Sequence, residues 1–213
     1  MIVPLRVFLA DDHTIVREGL KLLLEAQSDL TVVGEAADGR ETVRLVKEIR
    51  PDVVVMDLKL PGMGGLEAIR RILRRDPGAR ILVFSMYEEA LFAERAMQAG
   101  AVGYITKSSA PEVLIEAVER VSCGRTFLGP DITQELALAE RKREANPLGK
   151  LSPREFEVFR LLAEGRGTAD IARLLGVSYK TVANYSTGLR NKLEVSTTAE
   201  LVHLAIQHGV ITA

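Results

Sequence analysis

The sequence is poor in the features that mark secreted and membrane proteins. It has one cysteine, Cys123, in 213 residues, so no internal disulfide can form, and we expect this thiol to be a small apolar helix residue. No apolar run reaches the roughly 18–20 residues that a membrane-spanning helix needs. The N-terminus also lacks the basic segment and long apolar stretch of a signal peptide. We therefore expect a cytoplasmic protein without a membrane partner.

A strong excess of charge of one sign is also missing, because the formal net charge is only −1. That value alone does not indicate a nucleic-acid-binding protein. The distribution is uneven, however, with a net charge of −3 over residues 1–123 and +2 over residues 149–213. Hydrophobic residues (47%) and charged residues (27%) occur in the proportions of globular domains. The sequence therefore predicts folded domains, and the basic C-terminal part is compatible with a surface that faces DNA.

Residues 1–123 alternate between short apolar or β-branched runs and stretches with helical spacing. In the first helical stretch, Ile15, Leu20 and Leu24 are expected to share the buried face. Five strands alternating with five helices predict an α/β domain with a five-stranded, parallel, doubly wound sheet of the flavodoxin-like type. The expected strand order is 2-1-3-4-5. The predicted strands are Arg6–Ala10, Thr31–Glu35, Asp52–Met56, Arg80–Phe84 and Val102–Ile105.

The pattern changes after Cys123, which suggests a domain boundary. We expect one domain over residues 1–123, a linker containing a helix over residues 124–148, and a second domain over residues 149–213. The second domain has no convincing strand, and its apolar spacing predicts an all-α, four-helix unit. Its first helix is expected to begin at Ser152-Pro153-Arg154-Glu155, which combines a cap, a proline and a glutamate in the favoured order.

Three carboxylates follow predicted strands, with Asp11 and Asp12 after the first strand and Asp57 after the third. These strands are neighbours in the expected order, and ligand sites form at the carboxyl ends of strands near this point. Clustered carboxylates repel one another unless a cation is present, and oxygen ligands suit Mg²⁺. Lys107 follows the fifth strand and Ser85 ends the fourth. A carboxylate, a divalent cation, a lysine and a hydroxyl group together indicate phosphoryl transfer.

The order and spacing of these motifs resemble the receiver domain of two-component response regulators. The motifs are Asp11-Asp12, Asp57-Leu58-Lys59-Leu60-Pro61-Gly62-Met63-Gly64-Gly65, Ser85 and Gly103-Tyr104-Ile105-Thr106-Lys107. The resemblance implies that Asp57 accepts a phosphoryl group from a histidine of a cognate sensor kinase. It also implies that Asp12, Asp57 and the backbone carbonyl of Lys59 bind Mg²⁺, while Asp11 assists through water.

The same resemblance assigns roles to three further residues. Lys107 would pair with the phosphoryl group, Ser85 would hydrogen-bond it, and Tyr104 would change rotamer in response. Ser108 stands where the receiver pattern often has proline, so the usual cis-proline turn is not expected. His13 is not expected to be a ligand, because a hard oxygen site does not favour imidazole. Taken singly, the acids could be ordinary cap or turn residues.

Residues 168–187 have the spacing of a helix-turn-helix, with a small Ala172 at the helix contact and Gly176 at the turn. The four-helix unit that begins at Leu151 resembles the LuxR-type output domain. A receiver followed by this output domain resembles the NarL/FixJ subfamily. The resemblance implies a phosphorylation-dependent transcription regulator that binds double-stranded promoter DNA, with RNA polymerase as a further candidate partner.

The second helix of the motif, over residues 178–193, is expected to enter the major groove. Asn184 is the expected base reader, because asparagine can bond adenine through two hydrogen bonds. The exposed face carries few charges, and Ala183 stands where related helices often have lysine. A solvated helix face is the alternative interpretation. The expected DNA-facing residues are Lys180, Thr181, Ala183, Asn184, Thr187 and Lys192.

The final predicted helix has more apolar residues than one buried face needs. In LuxR-type domains the equivalent helix pairs two subunits, so the resemblance implies a homodimer when the protein is phosphorylated. Two half-sites would then add their binding energies. The alternative is that all of these residues pack within their own domain. The expected dimer residues are Leu201, Val202, Ala205 and Ile206.

Two other classes of function remain open from the sequence. A phosphohydrolase of the aspartyl-phosphate type shares the parallel sheet and the acid at a strand end, but Lys59 stands two residues after Asp57, where such an enzyme would have a second acid. A regulator whose helix-turn-helix no longer binds DNA is suggested by the sparsely charged recognition face. The expected function is that of a transcription regulator and not of an enzyme.

Overall fold

The computed structural model describes residues 3–140 and 147–211, and the chain divides into two compact units, Met1–Arg141 and Lys142–Ala213. The first unit alternates strands and helices. Its strands are β1 (Leu5–Ala10), β2 (Leu30–Ala36), β3 (Val53–Met56), β4 (Ile81–Ser85), β5 (Gly103–Thr106) and β6 (Phe127–Leu128). Its helices are α1 (Thr14–Glu25), α2 (Gly39–Ile49), α3 (Gly65–Arg75), α4 (Ala90–Ala99), α5 (Pro111–Ser122) and α6 (Pro130–Glu140).

The sheet is parallel throughout, and its strand order is β2-β1-β3-β4-β5-β6. The predicted order of the first five strands is confirmed. Strand β3 is fully buried along its length, as its uninterrupted apolar sequence indicates. The carboxyl ends of β1 and β3 are therefore side by side at one edge of the sheet.

The prediction of five strands is corrected to six, because the region expected to be a linker begins with a further strand. Strand β6 pairs with β5, Phe127 and Ile132 are buried, and α6 belongs to the first unit. A strand of two residues is too short to produce an alternating pattern, so the sequence suggested only a break. The middle of the expected linker, residues 141–146, lies outside the described residues.

Helix α1 buries Leu20 and Leu24, but Ile15 is 85% exposed. The expectation that all three share a buried face is therefore wrong for Ile15. This residue belongs to the first turn of α1, which begins after the end of β1. Helical spacing identifies the face of a helix but does not say which of its turns are covered.

The second unit is all-helical over its described residues, 147–211, as predicted. It consists of a 3-10 turn (Pro147–Lys150) and helices α7 (Pro153–Ala163), α8 (Thr168–Leu175), α9 (Tyr179–Leu193) and α10 (Thr198–Gln207). The expected start of α7 is confirmed, because Ser152 Oγ accepts a hydrogen bond from Glu155 N and Glu155 accepts one from Ser152 N. None of the helices described in either unit is long and apolar enough to cross a membrane.

Helices α8 and α9 form the predicted helix-turn-helix. Gly176 ends α8 with a φ of 65°, a conformation that costs a residue with a Cβ atom. Ala172 is buried at the contact between the two helices. The shared core includes Phe156, Phe159, Ile171, Leu175, Val182 and Leu189.

Candidate functional sites

The predicted acidic residues meet at the carboxyl edge of the sheet. The backbone N–H of Asp57 donates to the Ala10 carbonyl over 2.8 Å, which places Asp57 beside the end of β1. Asp11 and Asp57 are buried, whereas Asp12 is exposed. One possible ligand atom from each of these acids and from His13 lies within 4.8 Å of the others. The expected strand order therefore predicted that the three aspartates lie close together.

Lys107 lies inside the same acidic group. Its Nζ is 2.8 Å from Asp57 Oδ2 and also forms an ion pair with Asp11 Oδ2, and all three side chains are almost completely buried. The backbone N–H of Lys107 donates to the Ser85 carbonyl over 2.8 Å, which fixes the start of the β5–α5 loop. Burial opposes the charged form, but the two carboxylates more than compensate and raise the pKa of Lys107.

His13 is closer to the acids than the sequence suggested. Its Nδ1 lies 3.1 Å from Asp11 Oδ1 and 2.8 Å from Asp12 Oδ1. Its backbone N–H also donates to Asp11 Oδ1 over 2.9 Å. The ring is half exposed, so it covers the outer side of the acid pair. Its position directly after the two aspartates was the signal available in the sequence.

The donor set is suited to a small, hard cation. The buried Oδ2 of Asp11 has the ammonium group of Lys107 as its neighbour. The backbone N–H of Lys59 donates to Asp57 Oδ1 over 3.2 Å, so Lys59 adjoins the acids while its side chain is exposed. Carboxylate and carbonyl oxygens are the ligands that Mg²⁺ prefers.

Two glycines that the sequence reasoning did not single out shape the loop after Asp57. A Cβ atom on Gly39 would lie 2.0 Å from the Met63 carbonyl oxygen, and one on Gly65 would lie 2.3 Å from the Asp57 carbonyl oxygen. Any side chain at either position would displace the backbone of the β3–α3 loop. The loop that carries Lys59 therefore depends on these two close approaches.

Ser85 and Tyr104 are both buried and both contact the backbone of Tyr87. Ser85 Oγ accepts a hydrogen bond from Tyr87 N over 3.4 Å, and the Tyr104 hydroxyl donates to Tyr87 O over 2.7 Å. The Tyr87 ring stacks on Phe92 at a centroid distance of 3.8 Å. Burial raises the pKa of Tyr104 far above its ordinary value, so its hydroxyl remains a donor. The β4–α4 loop thus connects the two residues.

The predicted DNA-facing residues lie on α9, which Ser178 caps through a hydrogen bond from Thr181 N. Of the predicted residues, Thr181 and Ala183 are half-buried. The Thr187 hydroxyl donates to the Ala183 carbonyl over 3.2 Å, so its proton is already used. The exposed members of the set are Lys180, Asn184, Thr187 and Lys192.

Lys192 has an intramolecular partner that the sequence did not reveal. Its Nζ lies 2.7 Å from Glu155 Oε1 and 2.8 Å from Glu155 Oε2. Although burial opposes the charge, this pairing and the hydrogen bond from Ser152 N lower the pKa of Glu155. Tyr179, which the sequence reasoning passed over, is 63% exposed at the first turn of α9.

The predicted dimer residues on α10 divide into two pairs. Leu201 and Ala205 are buried in the core of their own unit, where α10 packs against α7. Val202 is half-buried and Ile206 is 40% exposed. Only the second pair is therefore available at the surface of α10.

Family models match most of the chain. Residues 7–119 match the response regulator receiver domain, and residues 149–205 match the bacterial regulatory proteins of the luxR family. Both matches fall where the fold contains the acidic group and the helix-turn-helix. The chain therefore belongs to the response regulator family, in the NarL/FixJ branch that joins a receiver to a LuxR-type DNA-binding domain. This is a family of DNA-binding transcription regulators and not a class of enzymes.

Individual relatives match between 65% and 98% of this chain. The response regulator GacA of Pseudomonas aeruginosa is 38% identical over 211 residues, which cover 98% of this chain and 99% of GacA. A LuxR-family response regulator of Aurantimonas is 50% identical over 65% of this chain and 99% of its own, with a TM-score of 0.63. RcsB of Salmonella enterica, solved bound to a promoter in the presence of the phosphomimetic BeF3−, is 28% identical, covers 94% of this chain and 97% of its own, and has a TM-score of 0.75.

Proposed function

We propose that this chain is a transcription regulator whose promoter binding is controlled by phosphorylation of Asp57 in the cytoplasm. The observation that carries the proposal is the buried contact of Asp57 with Lys107, beside Asp11 and Asp12. The phosphoryl donor would be a histidine of a cognate sensor kinase. An aspartate at a strand end, accompanied by a lysine and oxygen ligands, is equipped to accept a phosphoryl group.

In the proposed reaction, a carboxylate oxygen of Asp57 attacks the phosphorus atom, and the bond from phosphorus to the histidine nitrogen breaks. Lys107 would move from Asp57 Oδ2 to the phosphoryl oxygens and neutralise their charge. Ser85 would donate a hydrogen bond to one of these oxygens, and Tyr104 would then change rotamer. Charge neutralisation by fixed donors is the main contribution that a protein makes to such a transfer.

We further propose that Mg²⁺ occupies the acidic group during transfer. Asp12, Asp57 and the Lys59 carbonyl would be its direct ligands, and Asp11 would hold it through water. When bound, the ion supplies positive charge that offsets the charge of the phosphoryl oxygens. Lys107 would supply a second positive charge.

The functional limits of the two parts are also a proposal. We place the phosphoacceptor chemistry within residues 1–123 and DNA binding within residues 149–213, with the helix-turn-helix over residues 168–187. The sheet and core continue into β6 and α6, so we assign residues 124–140 to the receiver as structural support. Residues 141–148 would then connect the two functional parts.

We propose that α9 reads promoter DNA. Lys180 and Thr181 at its first turn would contact phosphates, Asn184 would contact a base edge, and Ala183 and Thr187 would contact a thymine methyl group. Lys192 would contact a phosphate only after breaking its ion pair with Glu155.

We further propose a homodimer formed through α10 in the phosphorylated protein. It would double the number of contacts to DNA, and the promoter-bound protein could then contact RNA polymerase.

The phosphorylation proposal is tested by intact-protein mass spectrometry with a small acyl phosphate and Mg²⁺. The wild type is expected to gain the mass of one phosphoryl group, and Asp57→Ala is expected to gain none. The control variant Asp29→Ala changes an exposed aspartate remote from the acids and should behave as the wild type. Labelling that persists in Asp57→Ala contradicts the assignment. No turnover of phosphomonoesters is expected beyond slow loss of the protein's own phosphoryl group.

The DNA-binding proposal is tested by selecting bound fragments from a random pool, with and without phosphorylation. Asn184→Ala should relax the preference at one base pair by about 1–3 kcal/mol. Lys180→Ala should weaken binding to all DNA sequences alike. A phosphorylated protein without sequence preference at low salt would favour a different function. In that case the second unit would act by binding protein, an alternative that the internal pairing of Lys192 supports.

A further inference from the structure

The residues on both sides of Lys107 form a group of hydroxyls. Thr106 Oγ1 lies 2.9 Å from Ser108 Oγ and 3.0 Å from Ser109 Oγ, and Thr106 is buried. We call Thr106, Ser108 and Ser109 the hydroxyl cluster. Thr106 ends β5, and Ser108 stands in the β5–α5 loop where the receiver pattern often has proline. Hydrogen bonds therefore take the place of a stiff ring in holding the loop that carries Lys107.

Ser108 extends the hydroxyl cluster to the loop that follows Ser85. Its hydroxyl donates to Glu88 Oε1 over 2.8 Å, and Glu88 lies in the β4–α4 loop. The same loop contains Tyr87, which contacts Ser85 and Tyr104. Ser108 thus ties the loop that carries Lys107 to the loop that follows Ser85.

The hydroxyl cluster also reaches α6. Thr106 Oγ1 lies 3.4 Å from Asp131 Oδ2 in the first turn of α6, and the Gly129 N–H donates to the Tyr104 carbonyl over 2.8 Å. Thr106 has a single hydroxyl proton, which it can give to Ser108 or to Asp131. Helix α6 packs against α4 and β5, so these bonds attach it directly to the strand that precedes Lys107.

The start of α6 and the β4–α4 loop both present carboxylates to one open groove. The groove has a volume of about 400 Å³, and its described lining includes no lysine or arginine. Its carboxylates are exposed, so water screens the repulsion between them. The Ser108–Glu88 and Thr106–Asp131 hydrogen bonds hold two of these carboxylates. The lining residues are Glu88, Glu89, Asp131, Gln134 and Glu135.

We propose that Ser108 is a positioning residue that couples the phosphoryl site to the docking of α6. Through the hydroxyl cluster it holds Lys107 in a fixed relation to the Ser85 loop, and Thr106 joins the same cluster to Asp131 of α6. An occupied phosphoryl site orders both loops and thereby tightens the docking of α6. This inference rests on the proposed function, because it requires Asp57 and Lys107 to be the phosphoryl site.

The test uses the full-length protein with BeF3− and Mg²⁺ as the probe. Affinity is measured by ¹⁹F NMR, and the docking of α6 is measured by hydrogen exchange of residues 130–140 with and without the probe. Ser108→Ala should bind BeF3− about fivefold more weakly, the effect of about one lost hydrogen bond. Its α6 should exchange faster and gain no protection from the probe. Ser108→Thr should stay within about twofold of the wild type, as should Ser28→Ala, which changes an exposed serine.

Asp131→Ala is the second variant, because it breaks the contact with α6 without touching the β5–α5 loop. Because coupling between two sites is reciprocal, this variant too should bind BeF3− more weakly and show faster hydrogen exchange in α6. Unchanged affinity and unchanged α6 exchange in Ser108→Ala would overturn the inference, as would a failure of Ser108→Thr to restore the wild-type values. Absence of BeF3− binding by the wild type would instead contradict the proposed function.

Discussion

At the scale of single residues, Lys107 is the cation that two buried acids share. Asp11 and Asp57 are both almost inaccessible, and Lys107 contacts both. An uncompensated buried charge costs several kcal/mol, so the pair of acids depends on this one ammonium group or on a bound cation. The contact between Lys107 and Asp57, on which the proposed function rests, therefore also contributes to folding.

Lys107→Ala is expected to lower the free energy of unfolding by about 3 kcal/mol in the absence of Mg²⁺, because it leaves two buried carboxylates without a cation. Excess Mg²⁺ should recover part of this loss by binding the same oxygens. Urea denaturation with and without Mg²⁺ measures both effects. Lys47→Ala, which removes an exposed lysine on α2, should change stability by less than about 0.5 kcal/mol. An equal loss in the two variants would contradict this account.

The sequence predicted the grouping of the acids with Lys107 better than the surroundings of the surface residues of the second unit. Asp11, Asp57 and Lys107 follow strands, and strand order alone brings such positions together. The Lys192–Glu155 pair joins α9 to the start of α7, residues far apart in the sequence, and depends on packing that no local pattern encodes. Helical spacing likewise cannot say which apolar residues of α10 face its own core.

At the scale of secondary-structure elements, two glycines near the recognition helix have opposite roles. Gly176 ends α8 with a positive φ. Gly188 lies within α9, where a Cβ atom would have no neighbour within 4 Å apart from the backbone of its own helix. The first needs its conformational freedom to make the turn between α8 and α9. The second only weakens the helix in which it lies.

We therefore expect Gly176→Ala to destabilise the second unit by about 1–2 kcal/mol and Gly188→Ala to stabilise it by about 1 kcal/mol. Thermal unfolding followed by circular dichroism measures both changes. Gly188→Ala also serves as the control for adding a methyl group in this region. If both variants shifted the melting temperature in the same direction, the conformational explanation would fail.

The start of α7 gives a prediction about pH. The pKa of Glu155 lies below its ordinary value of 4.5 in the folded protein, so its stabilising contribution is present above that value and is lost as the pH falls through the folded pKa. Glu155→Gln keeps an acceptor for Ser152 N but loses the ion pair with Lys192. It should be less stable than the wild type by about 0.5–1 kcal/mol at neutral pH.

Melting temperatures measured from pH 7 down to pH 3 would check this prediction. The difference between Glu155→Gln and the wild type should be constant near neutral pH and should disappear once the pH falls below the pKa of Glu155. A difference that persists at the lowest pH would mean that packing, and not charge, is responsible.

At the scale of the whole molecule, the proposed homodimer would use the exposed face of α10, where Ile206 is 40% exposed. Ile206→Glu places a charge on its exposed face and should abolish the dimer of the BeF3−-treated protein while leaving the melting temperature nearly unchanged. Sedimentation equilibrium measures the dimer. Leu201→Ala is the matched comparison, because it should destabilise the fold by about 2–5 kcal/mol through a cavity in the core. A dimer that survives Ile206→Glu would place the interface elsewhere.

The element order was largely predictable over the whole chain, because caps and apolar spacing recur in both units. What could not be predicted was where the first unit ends. Phe127 and Ile132 are buried against residues that precede them by many positions, and neither belongs to a long periodic segment. The extension of the first unit through α6 is therefore visible only in three dimensions.

Strand β6 has a further consequence, for contacts between molecules. It covers the backbone of β5, whose sequence Gly103-Tyr104-Ile105-Thr106 would otherwise lie open along one side of the sheet. With only two residues, β6 offers few free N–H and C=O groups, and Pro130 follows it closely without an N–H of its own. Short, interrupted edge strands of this kind discourage strand-to-strand aggregation. Deletion of β6 should therefore promote self-association of the receiver into β-rich aggregates at high concentration.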